Sequence, residues 1–395
     1  MTLQKVFIPY GGYWSSPFCR WQGALAQEHS LKLLATTALA ALDARQMAVT
    51  SFDGVVLGQT VTQAHDFYGA PWVAAMMGVP GITGPTISQA CATSARVLSV
   101  AAAEIETEFS ECLLGLTCDR TSNGPHILYP DPGGFGGKGQ AEDPVWDNFN
   151  YDPYAKSAMI QTAENVAQEA GITREEQDEV ALLRHEQYQD ALSDDRAFQR
   201  RFMVSANVGR KKKAVAIEAD EGVFPTTKEG LAKLQPVLDG GTVTFGTQTH
   251  PADGNAGIVL TTRDRAHSMG RDNVSIQVLG FGSARAKKGY MGMATVPAAQ
   301  RALQQSDIEL GDVTAFKTHN PFAVNDIYFC RELGIAAAKC NRFGSPLIYG
   351  HPQGPTGTRV IVELIEELVL RGGGYGLFSG CAGGDSAMAV AIKVN

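Results

Sequence analysis

The sequence predicts a layered α/β fold made of two similar halves, with an insertion in the first. Three observations predict it. Short apolar strand patterns alternate with Ala- and Leu-rich helical patterns from Lys5 to Leu116. The same alternation returns from Ile276 to Val394. Between about 120 and 240 it is broken by a Pro-, Gly- and aromatic-rich stretch and then by long helical patterns. Alternating elements of this kind bury a sheet between helices.

Taken in order, Lys5 to Pro9 reads as a strand ended by Pro9 and the Gly11-Gly12 turn. His29 to Ala48 is rich in good helix formers. Val55-Val56-Leu57 is a buried strand, Ala90 to Glu108 a second Ala-rich helix, and Glu111 to Leu116 the next strand. Gly124 to Tyr154 carries Tyr129, Phe135, Trp146, Phe149, Tyr151 and Tyr154. So many large aromatics mark an ordered loop that packs on something rather than a linker. Helices follow at Ala155–Ala170 and Thr173–Ser193, the latter opened by the capping-box pattern Thr173-Arg174-Glu175-Glu176. The second half reads as a strand at Ile276–Gly280, a helix at Ala298–Gln305, a strand at Ala315–Thr318, a helix at Val360–Leu370, and closing strands at Tyr375–Ser379 and Ala387–Val394 around a glycine-set turn, Gly380 to Asp385. The implied division is 1–119 with 241–267 for the first half, 120–240 for the inserted loop domain, and 268–395 for the second half.

Composition narrows the function. At 395 residues, 44% of them hydrophobic, the chain can bury a large core. Its net charge of −8 argues against general attraction to nucleic acid or an anionic membrane. The run Arg210-Lys211-Lys212-Lys213 reads as a solvated turn, with phosphate binding as the alternative. Seven cysteines, an odd number without zinc-ribbon or CxxC spacing, suit a reducing cytoplasm better than a disulfide framework. No signal-peptide pattern or membrane-length apolar run is apparent.

Four residues carry the chemistry: Cys91, His319, His351 and Cys381. Cys91 lies in Ser88-Gln89-Ala90-Cys91-Ala92-Thr93-Ser94, at the start of a helix whose dipole is expected to lower the thiol pKa. Its small neighbours leave room for an acyl group. His351 is fixed in Gly350-His351-Pro352-Gln353-Gly354-Pro355-Thr356-Gly357, a rigid turn leading into a helix, and can serve as its base. Cys381 lies in Cys381-Ala382-Gly383-Gly384, where glycine lets backbone N–H groups face a ligand oxygen. His319 ends a strand in His319-Asn320-Pro321-Phe322, where it can hold a water or an oxyanion.

These motifs, in this order, resemble those of the thiolase family over essentially the whole chain. The resemblance implies a five-layered αβαβα fold and reversible Claisen chemistry on coenzyme A thioesters, with CoA a substrate and no bound cofactor or metal. It makes Cys91 the acylated nucleophile, His351 the base and Cys381 the second acid/base. His351 with His319 would hold the enolate oxygen, and the N–H groups of Cys91 and Gly383 the tetrahedral oxyanion. Met159, Met291, Thr249 and Phe322 fall at acyl- or CoA-binding positions. A homodimer or homotetramer is the family's usual assembly. Two other readings are a ketoacyl-synthase-like condensing enzyme, which lacks the second cysteine, and a non-catalytic scaffold, which needs none of the four residues.

Departures bear on the substrate. His319 stands where the commonest thiolases have Asn, and Pro321 replaces a cysteine found in the sterol-carrier-protein-like subgroup. Thr247-Gln248-Thr249-His250 replaces Asn-Ala-Ser-Gly, and Phe224 stands near the expected CoA-contacting arginine, which points to Arg210–Lys213 or a partner subunit for the CoA phosphates. With Trp14, Phe18 and Trp21, the aromatic-rich loop suggests a bulky or aromatic acyl group. The benzoylsuccinyl-CoA-cleaving member, which pairs with a small zinc- and OB-fold protein, is one such case.

Overall fold

The structure, a computed structural model, describes residues 2–209 and 214–395. The run at 210–213, considered above for phosphate, lies outside the described residues.

The first half contributes strands β1 (Phe7–Pro9), β2 (Gly54–Gly58), β3 (Thr86–Ile87), β4 (Cys112–Arg120) and β5 (Ala252–Thr261). The second contributes β6 (Ser275–Arg285), β7 (Val313–His319), β8 (Gly374–Ala382) and β9 (Ser386–Val394). The first half runs β3-β2-β4-β5-β1, and the second, from the shared centre, β6-β9-β8-β7. In both halves a parallel pair (β2 with β4, β7 with β8) is followed by two antiparallel steps. The counterpart of β3 is reduced to a single parallel bridge, Phe316 with Cys340. β1 pairs antiparallel with both β5 and β6, through Phe7 opposite Thr261 and Gln277, so the halves meet there. Repetition of the order is what the sequence could not display at residue level.

Helices α1 (Ser30–Ala44) and α2 (Gly69–Met76) cover the outer face of the first sheet. Helix α3 (Thr93–Glu106) packs between the two sheets. Helices α4 (Met159–Ala170) and α5 (Arg174–Arg196) lie in the chain between β4 and β5. Helices α6 (Thr295–Ser306) and α7 (Ala323–Leu333) lie on the outer side of the second half, and α8 (Thr356–Leu370) joins α3 in the central layer. The layers are therefore αβαβα. A helix between two sheets must be apolar nearly all round. Residues Val97, Leu98, Ala101, Ala102 and Ile105 of α3 meet Val360, Ile361, Leu364, Ile365 and Leu368 of α8 in one core.

Helix α8 also carries buried charge, which requires partners. Arg359 forms a two-pronged bond to Asp220 at 2.6 and 2.7 Å and another to Glu363 at 3.0 Å. Glu367 meets Lys317 at 3.3 Å, and Glu366 meets Arg201 at 2.6 Å. Asp220 and Arg201 lie in the same stretch between β4 and β5, so these pairs tie that stretch to the central layer. The predicted capping box forms: the Thr173 hydroxyl accepts from the Glu176 N–H, and the Glu176 carboxylate accepts from the Thr173 N–H at 2.8 Å.

Three expectations need correction. Within a single chain Tyr129, Phe135, Trp146, Tyr151 and Tyr154 are exposed rather than packed. Trp14 is fully buried against Gly257, and Phe18 is buried against Tyr349 and Arg359. Trp21 is exposed. Trp14 and Phe18 are core side chains, because the β5 glycines Gly257 and Gly254 leave room for their rings. Finally, Cys381 lies within β8, opposite Ala387, rather than in the turn.

Candidate active site

The site forms where the ends of β7 and β8 meet the N-terminal ends of α3 and α8. Cys91 precedes α3 by two residues, after Ala90, whose φ of 45° is strained for a side chain other than glycine. The short run of hydroxyls Thr117, Thr358 and Ser94 ties the two helix starts together: Thr117 donates to Thr358 at 3.1 Å and Thr358 to Ser94 at 2.9 Å. Ser94 in turn donates to the Gly354 carbonyl. A Cβ on Gly357 would come within 2.8 Å of Ser94, so the glycine permits this approach.

His351 Nε2 stands 3.1 Å from the Cys91 sulfur, and its Nδ1 lies 2.7 Å from the Thr356 hydroxyl. With Nδ1–H donating to Thr356, the Nε2 lone pair faces the thiol. Burial, and then the neighbouring His319, hold His351 well below the ordinary histidine range, so it is a neutral acceptor. Burial also pushes the half-buried Cys91 thiol up to about 12, although the backbone N–H groups of Gly383 and Cys91 act in the opposite direction. This corrects the expectation of a lowered thiol pKa. Desolvation outweighs those N–H groups, and the resting pair is thiol and neutral imidazole.

His319 is fully buried with its ring 4.1 Å from that of His351, centroid to centroid. Neither of its ring nitrogens has a protein partner, and burial lowers its pKa to about 3. A buried unpaired imidazole is costly in an empty site and suits one that receives a polar ligand. Cys381 is fully buried, and its thiol is raised by burial and then by Cys91.

Met291, Phe322 and Cys381 share one apolar cluster, with the half-buried Met159 packed against it. Thr249 lines an adjoining cavity of about 410 Å³, together with Phe224, Leu231, Phe245, His250 and Ile348. Its hydroxyl donates to the Pro346 carbonyl at 2.5 Å. His250, in the cavity wall, is bonded to the catalytic loop through its backbone: its carbonyl accepts the His351 N–H at 2.9 Å. Neither Trp14 nor Phe18 lines it.

Sequence reasoning missed three supports. Asn325, three residues beyond Phe322 on α7, donates to the Cys381 sulfur at 3.1 Å. Its placement three residues past a recognised motif residue was the available signal. Asp326 accepts from Arg184 at 2.8 Å and Asn320 at 2.7 Å, which fixes the corner after His319. Asp119 accepts from the N–H groups of Thr60, Val61 and Gly354, which anchors the His351 loop. Burial pushes the Asp119 carboxyl up to about 7 against those donors.

Known proteins carry the same organisation. Residues 14–264 match the thiolase N-terminal domain and 273–394 the thiolase C-terminal domain. Human mitochondrial 3-ketoacyl-CoA thiolase is 29% identical over 384 residues, covering 96% of each chain. Acetyl-CoA acetyltransferase of Pseudomonas aeruginosa is 30% identical over 384 residues, covering 94% of this chain and 95% of that one. The crystal structure of the Bacillus anthracis acetyl-CoA acetyltransferase superposes with a TM-score of 0.92 at 29% identity, over the full length of both chains. Human mitochondrial 3-ketoacyl-CoA thiolase in complex with CoA gives 0.90 at 28% identity, over 100% of this chain and 99% of that one.

Proposed function

The chain belongs to the thiolase family, and from that premise we propose that it cleaves a 3-oxoacyl-CoA with free CoA, or runs the reverse Claisen condensation, through an acyl group on Cys91. The observation that carries this reading is the 3.1 Å contact between the Cys91 sulfur and a neutral His351.

In the cleavage direction His351 Nε2 takes the Cys91 thiol proton as the sulfur attacks the 3-keto carbon. The N–H groups of Cys91 and Gly383 hold the resulting oxyanion; one such donor is worth roughly 10²–10³ in rate. The C2–C3 bond then breaks, its electrons pass into the thioester enolate, and Cys381 protonates C2. The enolate oxygen is held by His351, now protonated, and by His319 directly or through water. Free CoA next gives its thiol proton to the Cys381 thiolate and attacks the acyl carbon. The Cys91 sulfur leaves and recovers its proton from His351. Cys381 distinguishes this cycle from that of a ketoacyl-synthase-like enzyme.

In this reading Thr249, Met159, Met291 and Phe322 line the path of the CoA arm and acyl chain, and residues 120–240 form the loop domain that walls it. The human relative's crystal complex with CoA supports CoA as the second substrate. We assign the protein to a reducing cytoplasm, for which its seven free cysteines speak. A homodimer or homotetramer accords with the exposed aromatic loop.

A bulky or aromatic acyl group, such as benzoylsuccinyl, with a small zinc- and OB-fold partner, is the finer proposal. Its support is now the altered His319-Asn320-Pro321 corner and Phe224, since Trp14 and Phe18 are core residues. The test is mass spectrometry of Cys91 after exposure to a set of 3-oxoacyl-CoA thioesters, with and without the candidate partner. An acyl adduct on Cys91 and a shortened acyl-CoA are expected. An unmodified Cys91 with every thioester would overturn the catalytic reading. A preference confined to short aliphatic chains would overturn only the finer one.

A further inference from the structure

We propose that the pocket of Cys91, His319 and His351 is also a binding site for a thiophilic divalent cation, zinc above all, and that metal and acyl group compete for the Cys91 sulfur. The Cys91 sulfur and one ring nitrogen from each histidine all lie within 4.8 Å of one another. A tetrahedral zinc ion, with bonds of about 2.3 Å to sulfur and 2.0–2.1 Å to nitrogen, needs such atoms roughly 3.3–3.6 Å apart. The Cys91–His351 pair, at 3.1 Å, would open by about 0.4 Å, and His319 would draw in by up to about an ångström and a half.

The second, independent observation is His319 itself. It is 1% exposed and both its ring nitrogens lack a protein partner. A cation gives one of them a bond. The far nitrogen of His351 is fixed by the Thr356 hydroxyl, as an outer partner fixes the ring of a metal-binding histidine, and its near lone pair faces the sulfur. One sulfur and two imidazoles suit zinc and disfavour magnesium or calcium, which take oxygen ligands. Cys91 is half-buried rather than sealed, which leaves an entry path.

On binding, the Cys91 S–H bond breaks, its proton leaves to solvent, and the thiolate bonds the cation. Three protein ligands leave a fourth position for water, a small anion or the thiol of CoA. The sulfur's lone pair is then no longer free for a carbonyl carbon. That competition rests on the acyl-Cys91 reading, whereas the metal site does not.

The experiment titrates purified full-length protein, freed of metal by chelator, with zinc against a chromophoric chelator. In parallel it measures the rate of Cys91 alkylation by iodoacetamide with and without zinc, mapping the modified residue by mass. The expected results are one tightly held zinc per chain and an alkylation rate at least tenfold slower in zinc. His319→Asn should weaken binding by more than about tenfold, the lower bound for losing even an outer-shell partner. Cobalt should give a thiolate-to-metal absorption band that is lost in Cys91→Ser. Cys91 alkylation unchanged by zinc in the wild-type protein would overturn the proposal, as would zinc binding of equal strength in Cys91→Ser. Thiolysis assayed in chelator separates the two claims: activity there with no zinc protection sinks the metal site alone.

Discussion

Asn325 donates its carboxamide N–H to the sulfur of Cys381 across 3.1 Å, at the C-terminal end of β8, where the thiol is fully buried. A fully buried thiol has no water to stabilise its anion, and this donor draws the Cys381 pKa down against desolvation. In the proposed cycle the bond strengthens as Cys381 gives up its proton to the enolate, so it would act on that step. A hydrogen bond to a charged group is worth roughly 1.5–3 kcal/mol, or about 10- to 100-fold in rate. Asn325→Ala is expected to slow exchange of the acetyl-CoA methyl protons with deuterated water by that factor, while Cys91 still acylates at nearly the wild-type rate. Asn325→Gln, which keeps a donor, should recover part of the loss. Equal slowing of both steps would mean that Asn325 supports the fold rather than Cys381.

The resting state of Cys91 is open to direct titration. Burial places its thiol near 12 and His351 well below the usual range, so the pair rests uncharged. Alkylation of the free enzyme should therefore keep rising with pH beyond 9, without a plateau at neutral pH. A plateau beginning between pH 6 and 8 would reveal a thiolate–imidazolium pair instead. Acyl transfer from substrate should not follow this profile, because His351 takes the proton only as the sulfur attacks.

Acid stability follows from the two buried histidines. Both have folded pKa values below the unfolded value of about 6.5, with His319 near 3. The unfolded chain thus binds more protons below pH 6.5, and stability falls as pH drops, by about 1.4 kcal/mol per unit for each histidine. Asp119, raised to about 7, titrates in the opposite sense. It cancels when the wild-type protein is compared with His319→Asn, since both contain it. Urea unfolding at pH 7, 5.5 and 4.5 should show the variant losing less stability on acidification. Parallel losses would mean that His319 is not held neutral by its burial.

The three motif residues Cys91, His351 and Cys381 were legible because their flanking glycines and small residues make distinctive local patterns. The reason for one of those glycines is long-range: Gly357 makes room for Ser94, on the facing helix. The long helices were legible from composition and capping. What stayed hidden depends on pairing across distance. Strand β5 was not anticipated, because Ala252–Thr261 contains three polar or glycine residues in a row, Asp253 to Asn255, that become buried only where the sheet sets them opposite Cys118 to Arg120 of β4. Asn325 and Asp119 are ordinary polar residues until the sheet brings Cys381 and Gly354 to them. The raised Cys91 thiol stayed hidden for the same reason: a helix start is local, whereas desolvation is set by the whole pocket.

Trp14 separates packing from specificity. A Cβ at Gly257 would lie 2.2 Å from the Trp14 ring, and Trp14 is completely buried among residues of α1, β2 and β4. Gly257→Ala therefore overpacks this layer, at a cost of about 1–3 kcal/mol or more, since a buried indole has nowhere to move. Trp14→Phe leaves a cavity instead and should also destabilise the chain. In the double variant the smaller ring makes room for the methyl group, so the two costs should sum to less than their separate values, a favourable coupling of about 0.5–3 kcal/mol. Acyl selectivity, read as the ratio of kcat/KM for an aromatic and a short aliphatic 3-oxoacyl-CoA, should stay within twofold of wild type in Trp14→Phe. A larger change in that ratio would place the indole's influence in the acyl path, and would restore to Trp14 the part in substrate choice that its burial denies.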